Sequence, residues 1–346
     1  MDRNNTFSAL KGLAMCMIMA GHLHIAIGGG FCAYFFVIMS GVLCRLSYRG
    51  GVGTIKICAK YTWHRMYKLL VPHVIGLFLA SIFLYYNHDW KIANLIGGVF
   101  FLHCWSPQIP YFSVNSVEWT VSALIGAWFL SPLFAERIRH IHKNCVRILL
   151  YGNLAYVILR LLSVDYLYNI RKLQLSEFSA WILNNKNPTL IIPLYFIGLF
   201  LAELLQRKKV KTSNRLEIMG LFIIMTVFIW MFRVRQLTDY KWTYVFWTVL
   251  CSVVLIRIFW TGDGIVSEKI FGCKVITCLS SYSMEIYLIH YPIIALFKNI
   301  LKFDGFVLVF YAIGLTVLLA IAAKNITAIF TKIFSKYWNW DWISRN

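Results

Sequence analysis

The stretch Leu10-Lys11-Gly12-Leu13-Ala14-Met15-Cys16-Met17-Ile18-Met19-Ala20-Gly21-His22 sets two ionisable side chains inside an apolar run. At ~100° and ~1.5 Å per residue, the eleven steps from Lys11 to His22 make about three turns plus 20°, so the two share one helix face roughly 16 Å apart. Ionisable groups in a bilayer cost at least ~2.5 kcal/mol each on insertion scales, so they are rare and usually functional. A cation near one surface and an imidazole towards the other read as a site that crosses the membrane. The plainer alternative is a snorkelling lysine and a histidine bonded to a neighbouring helix.

Composition agrees with a membrane setting. Of the 346 residues, 60% are hydrophobic and only 14% charged, against about 25% charged in a soluble domain. Aromatic residues reach 17%, with 13 Trp and 19 Tyr, which suits interface belts and core packing alike. The chain is therefore expected to be all-α and polytopic, not singly anchored. Its net charge of +20 would suggest nucleic acid in a soluble protein. Here the Lys and Arg cluster in short loops, so the positive-inside rule explains them, with attraction to anionic membrane lipid as a consequence. No aromatic-interleaved basic stripe is present to read bases, so no nucleic-acid partner is expected. The nine Cys show no metal-ligand spacing and read as free thiols, and no metal is expected. Residues 1–27 resemble a signal peptide, but His22 and His24 lie where a cleavage region would be. They read as a retained helix.

Apolar runs of spanning length fall near 7–27, 31–47, 69–86, 117–135, 146–164, 189–206, 216–232, 244–260, 275–297 and 306–330, with a shorter candidate at 92–105. Loop charge decides that last case. The 45–68 loop carries six Lys and Arg, the 136–147 loop four and the 207–215 loop five. All three fall on one side only if 92–105 does not cross. The expectation is a single domain over 1–346, a bundle of about ten transmembrane helices over about 7–330. Both termini are then cytoplasmic, 92–116 is re-entrant or on the outer face, and the tail 331–346 is cytoplasmic, with Trp338, Trp340 and Trp342 near the interface.

Several polar groups then fall at informative depths. Glu118, in Ser113-Val114-Asn115-Ser116-Val117-Glu118-Trp119, lies at about the depth of His22. A carboxylate on an imidazole fixes its tautomer and makes it a better base, so the two are a candidate pair; a solvated interface carboxylate is the alternative. Arg65 and Lys68 are three apart and share a helix face at a cytoplasmic entrance. They suit a phosphorylated ligand, or equally lipid headgroups. Ser283, Tyr287 and His290 follow i, i+4, i+7 spacing, a polar stripe that must face protein or a wet cavity.

Together these segments resemble the acyltransferase-3 family of integral membrane acyltransferases, from about residue 6 to about 330. The opening helix matches the family's pattern of a basic residue, ten residues and a histidine as Lys11 to His22. Phe35-Phe36-Val37-Ile38-Met39-Ser40-Gly41 resembles its F-F-V-x-S-G run, with one extra residue before the Ser. Arg65-Met66-Tyr67-Lys68 stands for R-x-x-R, with Lys in the second place. Phe112 to Glu118 resembles W-S-L-S-x-E without its Trp, and Ser281 to Pro292 resembles S-Y-S-x-Y-L-x-H-x-P with two extra residues around Met284 and Glu285.

The resemblance implies acetyl transfer from cytoplasmic acetyl-CoA to a sugar hydroxyl of a cell-surface polysaccharide, such as lipopolysaccharide O-antigen, or a lipid-linked glycan. The expected place is the periplasmic side of a bacterial inner membrane. It casts His22 and Glu118 as catalytic, and Lys11, Arg65 and Lys68 as contacts for acetyl-CoA. Ser40, Ser113, Asn115, Tyr287 and His290 become substrate contacts, some of them donors to the thioester oxygen. A polysaccharide transporter or flippase, or a glycan polymerase, remains the alternative.

Overall fold

The computed structural model describes residues 3–25, 29–51, 53–88, 91–109, 114–167, 171, 174, 176–208, 213–237 and 241–337. Ser113 and the three tail tryptophans lie outside them. Every regular element among the described residues is helical. In order they are α1 (Arg3–His22), α2 (Gly29–Ser47), α3 (Ile55–Met66), α4 (Leu70–Tyr86), α5 (Ile92–Val99), α6 (Trp119–Ala135), α7 (Arg137–His140) and α8 (Lys143–Asp165). Then follow α9 (Glu177–Leu183), α10 (Pro188–Gln206), α11 (Asn214–Leu237), α12 (Lys241–Ile258), α13 (Lys274–Ser281), α14 (Ser283–Ala295) and α15 (Gly305–Tyr337). Helix is the form an apolar segment takes when no water is at hand for its backbone.

Six helical stretches among the described residues are long and apolar enough to cross a membrane, and the chain is a multi-pass membrane protein. They are Gly29–Ser47, Ile55–Tyr86, Trp119–His140, Lys143–Val164, Glu177–Gln206 and Gly305–Ile333, with Val245–Ile258 apolar but shorter. Sequence reading expects ten. Its span at 275–297 is divided at Tyr282 into helices of 8 and 13 residues. The Ser/Thr hydroxyls here bond their own backbone: Thr277 to Cys273 O, Ser280 to Thr277 O and Ser281 to Cys278 O. Such local bonds compete with the helical ladder. The expected basic loop 45–68 is also corrected. From Thr54, whose Oγ1 caps Ile57 N at 3.4 Å, the chain is helical and runs through a 3-10 turn at Tyr67–Leu69 into α4. Arg65 and Lys68 therefore sit inside a continuous helical run.

The described residues form two compact units: Met1–Tyr48 with Arg137–Ser281, and Arg49–Glu136 with Tyr282–Asn346. In the first, α2 packs on α1, α10 and α12, and α1 also packs on α13. The α2–α10 contact rests on two glycines. A Cβ on Gly41 would lie 1.9 Å from Tyr195 O, and one on Gly198 would lie 1.9 Å from Ile38 O. Each backbone thus lies directly on the other, the small-residue packing that membrane helices use in place of a hydrophobic driving force. Buried Glu203 of α10 binds that pair further. Its Oε2 accepts from Arg45 of α2 and its Oε1 from Arg207 Nε, each at 2.5 Å. Arg207 also caps the end of α7, donating to Ile138 O, Arg139 O and Ile141 O. A second buried carboxylate, Glu217, accepts from Gly264 N, Val266 N, Ser267 N and Ser267 Oγ at 2.7–3.1 Å.

In the second unit, α14 packs on α4 and α15, α15 packs on α4, and α3 packs on α6.

Gly198→Ala should cost about 2 kcal/mol or more, because the obstructing atoms are backbone and α2 and α10 must separate. Gly314, where an added Cβ would meet nothing within 4 Å beyond its own helix, is the control. Thermal unfolding of the detergent-purified protein should show a lower midpoint for Gly198→Ala and an unchanged one for Gly314→Ala. Equal midpoints would contradict the close crossing.

Candidate functional site

The second unit gathers a set of buried polar side chains around the start of α6. Its origin is a proline. Pro292 lies inside α14 and has no N–H, so the carbonyl four residues back, Leu288 O, loses its helical partner. Asn115 supplies one: its Nδ2 donates to Leu288 O at 2.8 Å. The approach depends on Gly76 of α4, where a Cβ would lie 2.6 Å from Leu288 O and 2.9 Å from Asn115 Nδ2. The second N–H of Asn115 goes to Glu118 Oε1 at 3.2 Å. The same oxygen takes His73 Nδ1 of α4 at 2.7 Å. Glu118 and Asn115 are 0% exposed and His73 3%, so this imidazole–carboxylate contact is made inside protein, where it is worth most.

The loop after α5 covers the group. Phe101 takes a left-handed backbone (φ 55°) and stacks its ring on His73, centroids 3.9 Å apart. Ser122 of α6 ties that turn down, donating to Phe101 O at 2.5 Å and accepting from Cys104 N at 3.3 Å. Trp105 Nε1 donates to Ser122 O at 2.9 Å. Between these ties lies His103, fully buried. Burial first, and the His73 imidazole second, push its imidazole down to about 4, so it is neutral at neutral pH. Both His103 ring nitrogens, Glu118 Oε2 and Asn115 Oδ1 have no hydrogen-bond partner among the described residues. Each such buried atom costs about 1–3 kcal/mol when left unmet.

The substrate contacts expected on α14 are placed close to this group but are otherwise engaged. Tyr287 O–H donates to Val117 O at 2.8 Å, and Thr120 Oγ1 lies 2.7 Å from the same phenol oxygen. His290 Nδ1 turns back into its own helix, 3.0 Å from Ile286 O and 2.9 Å from Tyr287 O. The Asn115 amide spends both its hydrogens, so it has an acceptor to offer and no donor for a thioester oxygen. Arg65 donates to the Tyr61 hydroxyl through Nη2 at 2.8 Å, and Lys68 Nζ lies 5.9 Å from the Tyr67 ring centroid.

The remaining expected residues belong to the first unit. Lys11 Nζ lies 4.7 Å over the Phe36 ring, and Ser40 Oγ donates to Phe36 O at 2.8 Å. His22 closes α1, half-buried. Depth along the chain pairs Glu118 with His22, whereas the imidazole on its carboxylate is His73. Sequence reasoning passes over both His73 and His103. The signal for His73 is there to be read: it is a histidine inside an apolar span, the property that singles out His22. The signal for Asn115 is Pro292, which announces a freed carbonyl four residues earlier.

No curated protein and no solved structure matches the chain. The acyltransferase-domain profile of the acyltransferase-3 family matches residues 4–324, nearly its whole length, and the chain belongs to that family.

Proposed function

We propose that this acyltransferase moves an acetyl group from cytoplasmic acetyl-CoA onto a sugar hydroxyl of a surface polysaccharide. Lipopolysaccharide O-antigen is the first acceptor to test. The proposed setting is the periplasmic side of a bacterial inner membrane, with both termini cytoplasmic. Family membership supports acyl transfer onto such acceptors. The observation that carries the reading is the buried His73–Glu118–Asn115 group, two of whose members lie in the Phe112–Glu118 stretch that resembles a family motif.

The chemistry needs a base, because a hydroxyl is a weak nucleophile at neutral pH. As the acceptor oxygen bonds to the thioester carbonyl carbon, its proton must leave. The C–S bond then breaks, and the proton returns to the departing CoA sulfur. His22 is assigned that proton by the family motif. Glu118 acts within its own unit, where its carboxylate orients His73. Arg65 and Lys68, three apart on one helical run, are assigned to the CoA phosphates, and Lys11 keeps the donor-binding role that the motif gives it. Ser40 and Tyr287, whose hydroxyls are bonded to protein backbone, act here as supports and not as donors to substrate.

Wild type and His22→Ala are to be expressed in a host making a defined O-antigen, and the released repeats weighed by mass spectrometry. The expected result is an alkali-labile acetyl increment with wild type only, at equal membrane levels of both proteins. An increment with His22→Ala would overturn the base assignment, and a change in polymer length without acetyl would favour a polymerase. Arg65→Ala should raise the KM for acetyl-CoA by about ten-fold with kcat less affected, the sign of lost ground-state binding. An unchanged KM would leave Arg65 a topological charge.

A further inference from the structure

Three buried side chains of the second unit, Asn115, Glu118 and His103, carry polar atoms with no partner among the described residues and share one kind of need. Asn115 Nδ2 bonds Glu118 Oε1, His73 bonds the same oxygen, and His103 lies in the turn between Phe101, whose ring stacks on His73, and Cys104, whose N–H is held by Ser122. Asn115 has given both its hydrogens away, to Glu118 and to Leu288 O, so its Oδ1 can only accept. Burial raises the Glu118 carboxyl, while His73 and Asn115, both on Oε1, favour its ionised form; in that form Oε2 only accepts, and it has no partner among the described residues. The neutral His103 ring offers one donor and one acceptor, both unmet among those residues. The sum is three acceptors and one donor. A thioester oxygen brings no hydrogen to such a group. A hydroxyl brings one and can accept one in return, and two hydroxyls on adjacent carbons match the set better still.

We propose that His103, with Glu118 Oε2 and Asn115 Oδ1, is a subsite for hydroxyl groups of a polyol acceptor. It does not contact the thioester. The two carbonyl-type oxygens take hydroxyl hydrogens, and the imidazole takes one and gives one. His73 is a positioning residue here: its bond to Oε1, with that of Asn115, turns the second carboxylate oxygen away from them. The proposal rests on the acetyl-transfer reading for what the bound hydroxyl does next, but not for its binding.

The test uses membranes carrying the full chain, labelled acetyl-CoA, and alkali-treated host polysaccharide at graded concentrations. His103→Leu should raise the acceptor KM by about ten-fold or more, because a site built to bond hydroxyls discriminates by its unpaired groups. The KM for acetyl-CoA should stay within about two-fold of wild type. His103→Gln, which still gives and takes a hydrogen bond, should lie between, and it serves where the leucine variant fails to fold. An unchanged acceptor KM would mean that the group holds only water and would overturn the proposal, as would a parallel rise in both constants. A wild type that transfers nothing would instead count against the acetyl-transfer reading. The subsite is then judged by saturation-transfer NMR of methyl hexosides on the detergent-purified chain. Signals lost in His103→Leu support it. Equal signals in both proteins, or none with wild type, overturn it.

Discussion

One carbonyl without a helical partner organises the second unit. A backbone N–H or C=O buried away from water must be satisfied by protein. Pro292 breaks that rule at Leu288 O, and Asn115 mends it. The repair has requirements of its own. Residue 76 must lack a side chain, so that α4 leaves room for the amide. The second amide hydrogen must go somewhere, and it fixes Glu118. Glu118 in turn fixes His73. The first unit meets the same problem at Pro193 of α10, where the freed Thr189 O takes Tyr156 O–H at 3.0 Å. There the repair is a tyrosine and stops at one bond. At Pro292 it extends through three side chains, which is why the polar group gathers at that end of α6.

The helical, membrane-spanning character of the chain was legible from its apolar runs, and the family from motifs spread between Lys11 and Pro292. What sequence could not supply was direction around each helix axis. Counting residues from a loop gives depth, and depth matches Glu118 to His22. Depth does not say which neighbour a carboxylate faces, and His73 holds it. Periodicity likewise sets Ser283, Tyr287 and His290 in one stripe. All three are buried, with Tyr287 bound to Val117 and Thr120 and His290 to its own helix. Basic residues mislead in another way. A dense run of Lys and Arg reads as loop, yet 55–66 is helical, since Lys and Arg are good helix formers and apolar residues separate them.

Charge also has more than one use here. The +20 balance reads in the sequence as a mark of orientation, and two of its members do structural work. Arg45 and Arg207 grip buried Glu203 from either side, and Arg207 closes α7. An arginine held by a buried carboxylate and three carbonyls has few donors left for a phosphate. Candidate donor-binding cations are therefore better sought among residues such as Arg65, whose guanidinium meets the uncharged hydroxyl of Tyr61, than by counting positive charges in loops.

The reciprocal glycine crossing of α2 and α10 has a mechanical consequence. With Tyr195 O over Gly41 and Ile38 O over Gly198, each helix carries a notch that fits one register of the other. A shift along the axis by a single residue would drive a carbonyl into a Cβ at both notches together. The pair can pivot about this point, but it cannot glide. Any working motion of the first unit must keep α2 and α10 in this register, with the crossing at Gly41 and Gly198 as its fixed point.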